Sequence, residues 1–434
     1  MDKMADVLGR AGAWCGQNKY LSAIKNAFQN FMPLTIAGAI GVLWCNVLVN
    51  DQTGLGLFFK PIMALDFLNP AFQAVNFCTI SCITVGITLG IAQEIGIWNM
   101  GAEKAGYIPG LVGLAAWLSV TNTSHMVEGA KAAFTGISGN ELGATGLFTG
   151  MIIGVLSVEL FCFFEKQDAL KIKMPEQVPP GVARAFEVLV PATITLIITA
   201  CIGSACYNLT GLYLNDVIKN GIQGPLGAVG ATIPGVMIIY LVIMLFWLVG
   251  IHGNNMLSAV KEALFTPLAL ENVEAFNKHQ TPKNIINMYA LQMWGEFGGS
   301  GVTIGLVIAI MIFSKREDNK AIATLSLVPG LFNINETVTF GIPMVLNPIL
   351  GIPFVVAPLI TIIIGYVLTV IGFCPVACLT VPWTTPPIVF GFLACGANVM
   401  GAVTQAILIA VSTVIYTPFL ISYEKYQNKQ AAEA

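Results

Sequence analysis

The groups in this sequence best suited to chemistry are one carboxylate and one imidazole, each in a short polar segment. Glu336 lies in a polar stretch between two prolines, and His252 lies between two glycines after a strongly apolar run. An ionised carboxylate at the centre of a membrane-spanning helix costs about 2.5–3.5 kcal/mol, so such acids normally face a cavity and act there. The alternative is structural: Glu336 would cap the helix that follows, and His252 would be an ordinary interfacial histidine.

Amide and indole side chains accompany both groups, and together they resemble a carbohydrate site. Sugar hydroxyls suit Asn, His and Glu, while the flat C–H faces of a sugar ring suit an indole. Each indole could instead anchor the chain in an interfacial aromatic belt. A second acid, Glu296, either lines the same site or simply ends a span. The predicted substrate-binding residues are Asn254, Asn255, Asn333, Asn335, Trp247 and Trp383.

The composition indicates where such a site must sit. Of the 434 residues, 56% are hydrophobic and 10% are charged, whereas a soluble domain carries roughly 25% charged residues. This excludes a soluble enzyme, a disordered chain and a fibrous one, and it predicts an all-α polytopic membrane protein. The net charge of −3 includes no basic run that would suggest nucleic acid, and three histidines without clustered ligands predict neither a metal site nor a cofactor.

Apolar runs of about 20 residues predict the spans, and breaks in the pattern predict where the chain departs from simple helices. Helical spacing of apolar residues over 1–28 predicts an amphipathic helix in the membrane interface. The stretches 254–296 and 320–353 are broken by Gly, Pro and Asn, and non-helical backbone at membrane depth requires a surrounding cavity. The predicted spans are 30–49, 71–93, 105–120, 147–164, 186–207, 229–250, 298–313, 354–373 and 388–408, the last extending toward 421.

The distribution of Lys and Arg predicts a cytoplasmic N-terminus. Basic residues concentrate before the first span and between the fourth and fifth spans, which face the same side if the spans alternate. Simple alternation fails in the C-terminal half, where two re-entrant segments would restore the count.

These residues resemble a known family, the membrane permease subunit (enzyme IIC) of the phosphoenolpyruvate-dependent sugar phosphotransferase system. The resemblance is to its lactose, cellobiose and diacetylchitobiose branch, with the diacetylchitobiose permeases closest, and it covers essentially the whole chain. Any one motif alone would be weak, but the ordered combination is specific. The motifs are KMPEQVPPGV at 173–182, GIHGNN at 250–255, FNINE at 332–336 and the GIP, NP and PF runs that follow at 341–343, 347–348 and 353–354.

The resemblance implies a homodimer of about ten spans plus two re-entrant hairpins. Residues 29–210 would form the oligomer interface within the membrane lipid, and residues 211–434 would bind sugar. It also implies that Glu336 and His252 meet the hydroxyl that becomes phosphorylated, as catalytic groups. The donor would be a phosphocysteine on a IIB-type protein, which we expect to be a separate cytosolic partner.

The expected function is import of a disaccharide of the diacetylchitobiose or cellobiose type across the bacterial cytoplasmic membrane, coupled to its phosphorylation. Because the donor residue lies on the partner, whether this chain is itself an enzyme stays open. Two alternatives remain. A proton-coupled sugar symporter could use the same Glu and His as a relay. An intramembrane enzyme acting on lipids is the other, although no acidic metal motif or activated nucleophile pair supports it.

Overall fold

A computed structural model describes the chain at residues 14, 17–51, 55–125, 134–175, 177–225, 230–342, 344–345 and 347–433. Most of the predicted interfacial helix, residues 1–13, 15 and 16, lies outside the described residues, and so does Pro343.

The described residues of the first half are mostly helical and include one pair of short strands. Strands β1 (Ser124–His125) and β2 (Phe134–Thr135) pair antiparallel. Short 3₁₀ segments include Lys60–Leu68, and π turns include Trp44–Leu48. The helices are α1 (Lys19–Leu43), α2 (Asn69–Cys78), α3 (Ile83–Met100), α4 (Ala102–Ala105), α5 (Ile108–Val120), α6 (Gly139–Leu142), α7 (Leu147–Glu165), α8 (Pro180–Thr210) and α9 (Leu214–Ile218).

The second half contains more numerous and shorter helices, because Gly, Pro and Asn interrupt it repeatedly. The helices are α10 (Ile233–Leu248), α11 (Gly253–Met256), α12 (Ser258–Asn277), α13 (Met288–Gly295), α14 (Ile304–Phe313), α15 (Glu317–Leu331), α16 (Glu336–Gly341), α17 (Gly351–Val370), α18 (Val389–Ala394) and α19 (Val399–Glu433).

Among the described residues, six helical segments are long and apolar enough to cross a membrane. Each of the nine predicted spans overlaps one of these six or one of three shorter apolar helices, which confirms the all-α, multi-span fold class. The six segments are Lys19–Leu48, Lys60–Met100, Ala144–Glu165, Pro180–Thr210, Gly351–Val370 and Val399–Lys429, and the shorter helices are α5, α10 and α14.

The start of the first span differs from the prediction. The sequence assigns residues up to 28 to an interfacial helix, but residues 19–28 are the first part of α1, which continues to Leu43 without a break. No Gly or Pro separates the two predicted segments before Pro33. Helix propagation past residue 28 therefore meets no local obstacle.

The two interrupted stretches each contain a helix, a break and a second helix. In the first, α12 and α13 flank a non-helical segment, and in the second, α15 and α16 flank a turn at residues 332–335. These elements are where the sequence predicts re-entrant segments. They also place the polar residues at helix ends, which is where backbone groups are free to bind side chains or ligands.

The chain divides into two compact units. One includes Gln17–Gly38 and Ala74–Ala228, and the other includes Ala39–Gln73 and Val229–Ala434. The predicted division at residue 210 gives all of 39–73 to the first half, whereas the structure groups that segment with the second. The roles predicted for the halves, oligomer interface and sugar binding, stay predictions.

In the first unit, α3, α5 and α7 pack against one another, and α8 packs against α5 and α7. Small residues allow this close approach: a Cβ at Gly113 would lie 2.3 Å from the Ala92 side chain, and one at Gly150 would lie 2.2 Å from Thr88. Close packing over small residues is how helices associate in a lipid environment.

In the second unit, α19 is the central element, packing against α14, α17 and α18. Helix α17 also packs against α10 and α13. The helices that carry or adjoin the predicted site residues are therefore held against one another by two long apolar helices.

Candidate functional site

The structure brings the predicted carboxylate and imidazole together. His252 precedes α11 and Glu336 is the first residue of α16, and the His252 Nε2 to Glu336 Oε1 distance is 3.8 Å. The side chains are 38% and 47% exposed, so both can be reached from outside the protein. An oxygen atom at hydrogen-bond distance from both groups would lie to one side of the line that joins them.

The local backbone determines which His252 nitrogen faces Glu336. His252 caps α11, with its Nδ1 accepting the backbone N–H of Asn255 at 3.3 Å. A ring nitrogen that accepts a hydrogen bond carries no proton, so in the neutral ring the proton is on Nε2. His252 therefore presents an N–H donor toward the Glu336 carboxylate.

Trp247 supports the His252 ring from inside the protein. The two ring centroids are 4.5 Å apart, and the Trp247 ring meets Phe354 edge to face at 6.3 Å. Trp247 is 1% exposed, so it forms a packed wall behind His252.

A glycine-rich loop between α13 and α14 connects the polar clusters. Asn254 donates to the Ser300 hydroxyl at 3.1 Å, and Asn335 donates to the Ser300 carbonyl at 2.7 Å. Asn333 accepts the backbone N–H of Gly298 at 2.6 Å. The segments that carry His252 and Glu336 are thus bound to the same short loop.

The loop requires glycine for both conformation and space. Gly298, Gly299 and Gly301 have φ angles of 69°, 89° and 81°, a region that L side chains rarely adopt. A Cβ at Gly301 would lie 2.3 Å from the Phe354 ring. The far end of the loop is bound to α19, since Tyr416 and Ser412 donate to the carbonyls of Gly301 and Val302 at 2.7 and 2.8 Å.

The loop containing Trp383 is bound to the same assembly. The Asn333 amide donates to the carbonyls of Trp383 at 2.5 Å and Thr385 at 3.1 Å. After this loop, buried Gln405 of α19 accepts hydrogen bonds from the backbone N–H groups of Ile388 and Gly391 at 2.7 and 2.8 Å. These bonds fix the start of α18.

The predicted site residues fall into two groups in this geometry. Asn333 and Asn335 use their amides to hold backbone, and Trp247 is enclosed in the protein. Asn255 is exposed, and Trp383 is 45% exposed. Asn254 is intermediate, with its Oδ1 buried and unpaired among the described residues.

Sequence reasoning missed the partners of Glu296. The Lys261 ammonium forms an ion pair with the Glu296 carboxylate, and the Tyr240 hydroxyl donates to the same carboxylate at 2.6 Å. Side-chain exposure is 7% for Lys261 and 16% for Glu296. One signal in the sequence could have revealed the ion pair. Lys261 follows His252 by only nine residues in a chain that is poor in charge, and a buried cation there needs an acidic partner. Ser300 was also missed, although the Gly298–Gly301 run marks a special loop.

Among the described residues, no cluster of three or more His, Cys, Asp or Glu side chains could hold a metal ion.

The Gly299→Ala substitution tests the loop as a structural element. A Cβ at Gly299 would lie 2.6 Å from the Asn335 side chain, on a backbone already at positive φ. Overpacking costs about 1–3 kcal/mol and left-handed backbone about 1–2 kcal/mol more. We expect the free energy of unfolding to fall by the sum, seen as a lower thermal unfolding temperature in detergent.

Gly372→Ala is the matched control, because Gly372 has a φ of 78° but no heavy atom within 4 Å of its Cβ position. This variant should lose only the free energy of unfolding that the left-handed backbone costs an alanine. Equal losses of stability in the two variants would contradict close contact between Gly299 and Asn335.

Comparison with known proteins adds family information to this geometry. Residues 25–358 match the family model described as "Phosphotransferase system, EIIC". The chain is 32% identical over 428 residues to the PTS system oligo-beta-mannoside-specific EIIC component of Bacillus subtilis (strain 168), covering 98% of this chain and 94% of that protein. It is 30% identical over 486 residues to the PTS system cellobiose-specific EIIC component of Lactococcus lactis subsp. lactis (strain IL1403), covering 98% of each.

A solved structure is similar over nearly the whole length. The crystal structure of the transporter ChbC, the IIC component from the N,N'-diacetylchitobiose-specific phosphotransferase system, superposes with a TM-score of 0.88. The match has 29% sequence identity and covers 97% of both chains.

Proposed function

Because the chain belongs to the EIIC family of the phosphotransferase system, we propose that it imports a disaccharide of the diacetylchitobiose or cellobiose type and presents it for phosphorylation. The chain is a sugar-transport component, and it is an integral protein of the cytoplasmic membrane. Components of this family work with IIB partners. The finer proposal concerns which sugar is carried, how transport couples to phosphorylation, and which residues act.

The observation that carries the proposal is the facing arrangement of His252 and Glu336 across 3.8 Å. A sugar hydroxyl placed beside this pair, at hydrogen-bond distance from both, can accept a hydrogen bond from the His252 Nε2–H and donate its proton to the Glu336 carboxylate. That arrangement makes Glu336 the general base and His252 the donor that orients the hydroxyl. Without His252, Glu336 could accept the hydroxyl proton, but no donor would fix the position of the hydroxyl oxygen.

Phosphoryl transfer then needs positioning more than covalent chemistry from this chain. The hydroxyl oxygen attacks the phosphorus of the phosphocysteine on the IIB partner, its proton passes to Glu336, and the phosphorus–sulfur bond breaks. The cysteine leaves as a thiolate on the partner. The product carries a phosphate that suits a site for neutral sugar poorly, which makes uptake one-way.

The remaining predicted residues divide their roles by exposure. Trp383 stacks on a sugar ring, since its indole is accessible, and exposed Asn255 binds other hydroxyls. Asn254, whose Oδ1 is buried and whose amide nitrogen donates to Ser300, acts by holding the glycine-rich loop. Asn333 and Asn335 act by holding the Trp383 loop and the glycine-rich loop in place. Trp247 acts by packing against the His252 ring.

The substrate class rests on the relatives, whose names include cellobiose, oligo-beta-mannoside and diacetylchitobiose. We also propose that the protein works as a homodimer in membrane lipid with a cytoplasmic N-terminus. The basic residues before the first predicted span and between the fourth and fifth predicted spans support that orientation.

The function is tested with purified protein in liposomes, given labelled cellobiose or diacetylchitobiose and a phosphorylated IIB protein. We expect sugar phosphate to accumulate inside only when the phosphorylated partner is present, and an uncoupler to leave uptake unchanged. Lactose is the comparison sugar for specificity. Uptake that needs no partner and collapses with the uncoupler would establish a proton symporter instead.

A further inference from the structure

An apolar groove lies between α14 and α19, and none of its lining residues is a predicted site residue. It has a volume of about 760 Å³, and its lining includes Ile308, Ile312, Phe313, Ala410, Val414 and Ile421. Several of these side chains face outward although they are large and apolar: Ile312 is 63% exposed and Val414 is 70% exposed. Both helices are apolar segments suited to a membrane, so this surface belongs in a lipid environment.

The length of the groove fits a chain that runs along the membrane normal. On α19 the lining extends from Ala406 to Ile421. At 1.5 Å per residue this is about 22 Å of helix, compared with roughly 15 Å for half of a 30 Å hydrocarbon core. An extended acyl chain of one leaflet can therefore lie within it.

One end of the groove is cationic. Lys425 follows Ile421 by one helical turn on the same face of α19. Lys315 follows the last lining residue of α14, Phe313, by two positions. The two lysines lie at the same end, because the backbone N–H of Lys315 donates to the Glu424 carboxylate at 3.2 Å.

The acids nearby are already engaged. Buried Glu424 also accepts hydrogen bonds from Ser314 and Asn319, and Asp318 pairs with Arg316 at 2.6 Å. The hydrogen bond from Arg316 keeps the pKa of Asp318 below its ordinary value, so that pair stays charged and closed. Lys315 and Lys425 are both exposed. Neither lysine forms an ion pair with another described residue.

We propose that this groove binds an acyl chain of an anionic phospholipid, with the lipid phosphate held by Lys315 and Lys425. The apolar walls supply contact for any lipid of suitable length. The two ammonium groups supply the preference for a headgroup with net negative charge, because basic residues near the membrane surface attract anionic lipid.

The test uses native mass spectrometry of the full-length protein in detergent, titrated with dioleoyl phosphatidylglycerol or dioleoyl phosphatidylcholine. These lipids share acyl chains and differ in headgroup charge. We expect the first phosphatidylglycerol adduct at roughly thirtyfold lower lipid concentration than the first phosphatidylcholine adduct, the factor that follows from two contacts of about 1 kcal/mol each. Lys315→Gln with Lys425→Gln should remove that preference, and Ala410→Phe, which fills the groove, should remove the first adduct of either lipid.

The controls are Lys60→Gln, an exposed lysine elsewhere, and Ala321→Phe, an exposed alanine on α15 outside the groove. Both should bind phosphatidylglycerol like the unmodified protein. Equal binding of the two lipids, or a preference that survives the double lysine variant, would overturn the proposal. An Ala410→Phe variant that changes the oligomeric mass and leaves lipid adducts intact would also overturn it, because a protein would then occupy the groove.

Discussion

Replacing Glu336 by Gln should lower the rate of sugar phosphorylation by the phosphorylated IIB partner by about 10²–10⁴-fold, the usual contribution of a general base. The amide keeps the shape of the carboxylate and an acceptor oxygen, but it cannot take the hydroxyl proton. The Kd for the disaccharide should therefore change only a few-fold. The measurements are phosphorylation of labelled sugar in liposomes and equilibrium binding to the purified variant.

Glu317→Gln is the matched control, because Glu317 is 86% exposed and pairs only with the neighbouring Lys320 among the ion pairs of the described residues. It should retain the unmodified rate. If Glu336→Gln kept more than a tenth of that rate, Glu336 would not be the proton acceptor. A large loss of binding without a change in the phosphorylation rate of bound sugar would assign it to substrate binding alone.

Replacing Lys261 by Met should reduce the free energy of unfolding by about 3–5 kcal/mol, the cost of breaking a buried ion pair from one side. The Glu296 carboxylate would remain buried after the substitution. Among the described residues, the Tyr240 hydroxyl would still donate a hydrogen bond to it. Thermal unfolding in detergent measures the effect. Combining Lys261→Met with Glu296→Gln should recover part of the loss, because the second change removes the unpaired charge.

Helix α12 offers the matched control at its other end. Lys278 pairs with Glu274 at 2.5 Å, but these side chains are 58% and 41% exposed. Exposed pairs contribute about 0.2–1 kcal/mol, so Lys278→Met should have little effect. Losses of similar size at the two positions would show that burial of the Lys261 pair does not determine its contribution.

Much of the fold could be predicted because apolar run length carries the information. Spans such as Pro180–Thr210 are continuous apolar segments, and bilayer thickness sets their length. Amphipathic spacing describes which face of a helix is polar and does not mark where the helix ends, so it gave no sign that α1 continues through residue 28. The grouping of 39–73 with the second unit depends on tertiary packing, which leaves no local signal.

The sequence predicted which polar residues belong to the candidate site, but it did not predict which of them face a ligand and which hold the backbone. Glu336 and His252 stood out because charge and imidazole are rare in this chain. Asn333 and Asn335 belong to the same motif as Glu336, and composition cannot distinguish an amide that binds ligand from one that holds a loop. That distinction required the hydrogen bonds to Trp383 and Ser300.

The glycine-rich loop also limits how the site can move. Its hydrogen bonds to Asn254, Asn335, Asn333 and Tyr416 connect the separate polar segments to one another. Leaving a buried donor or acceptor unmatched costs roughly 1–3 kcal/mol, so these segments cannot readily separate during a transport cycle. Under the proposed function, we therefore expect these polar segments to stay together during transport, so that the distance between His252 and Glu336 changes little.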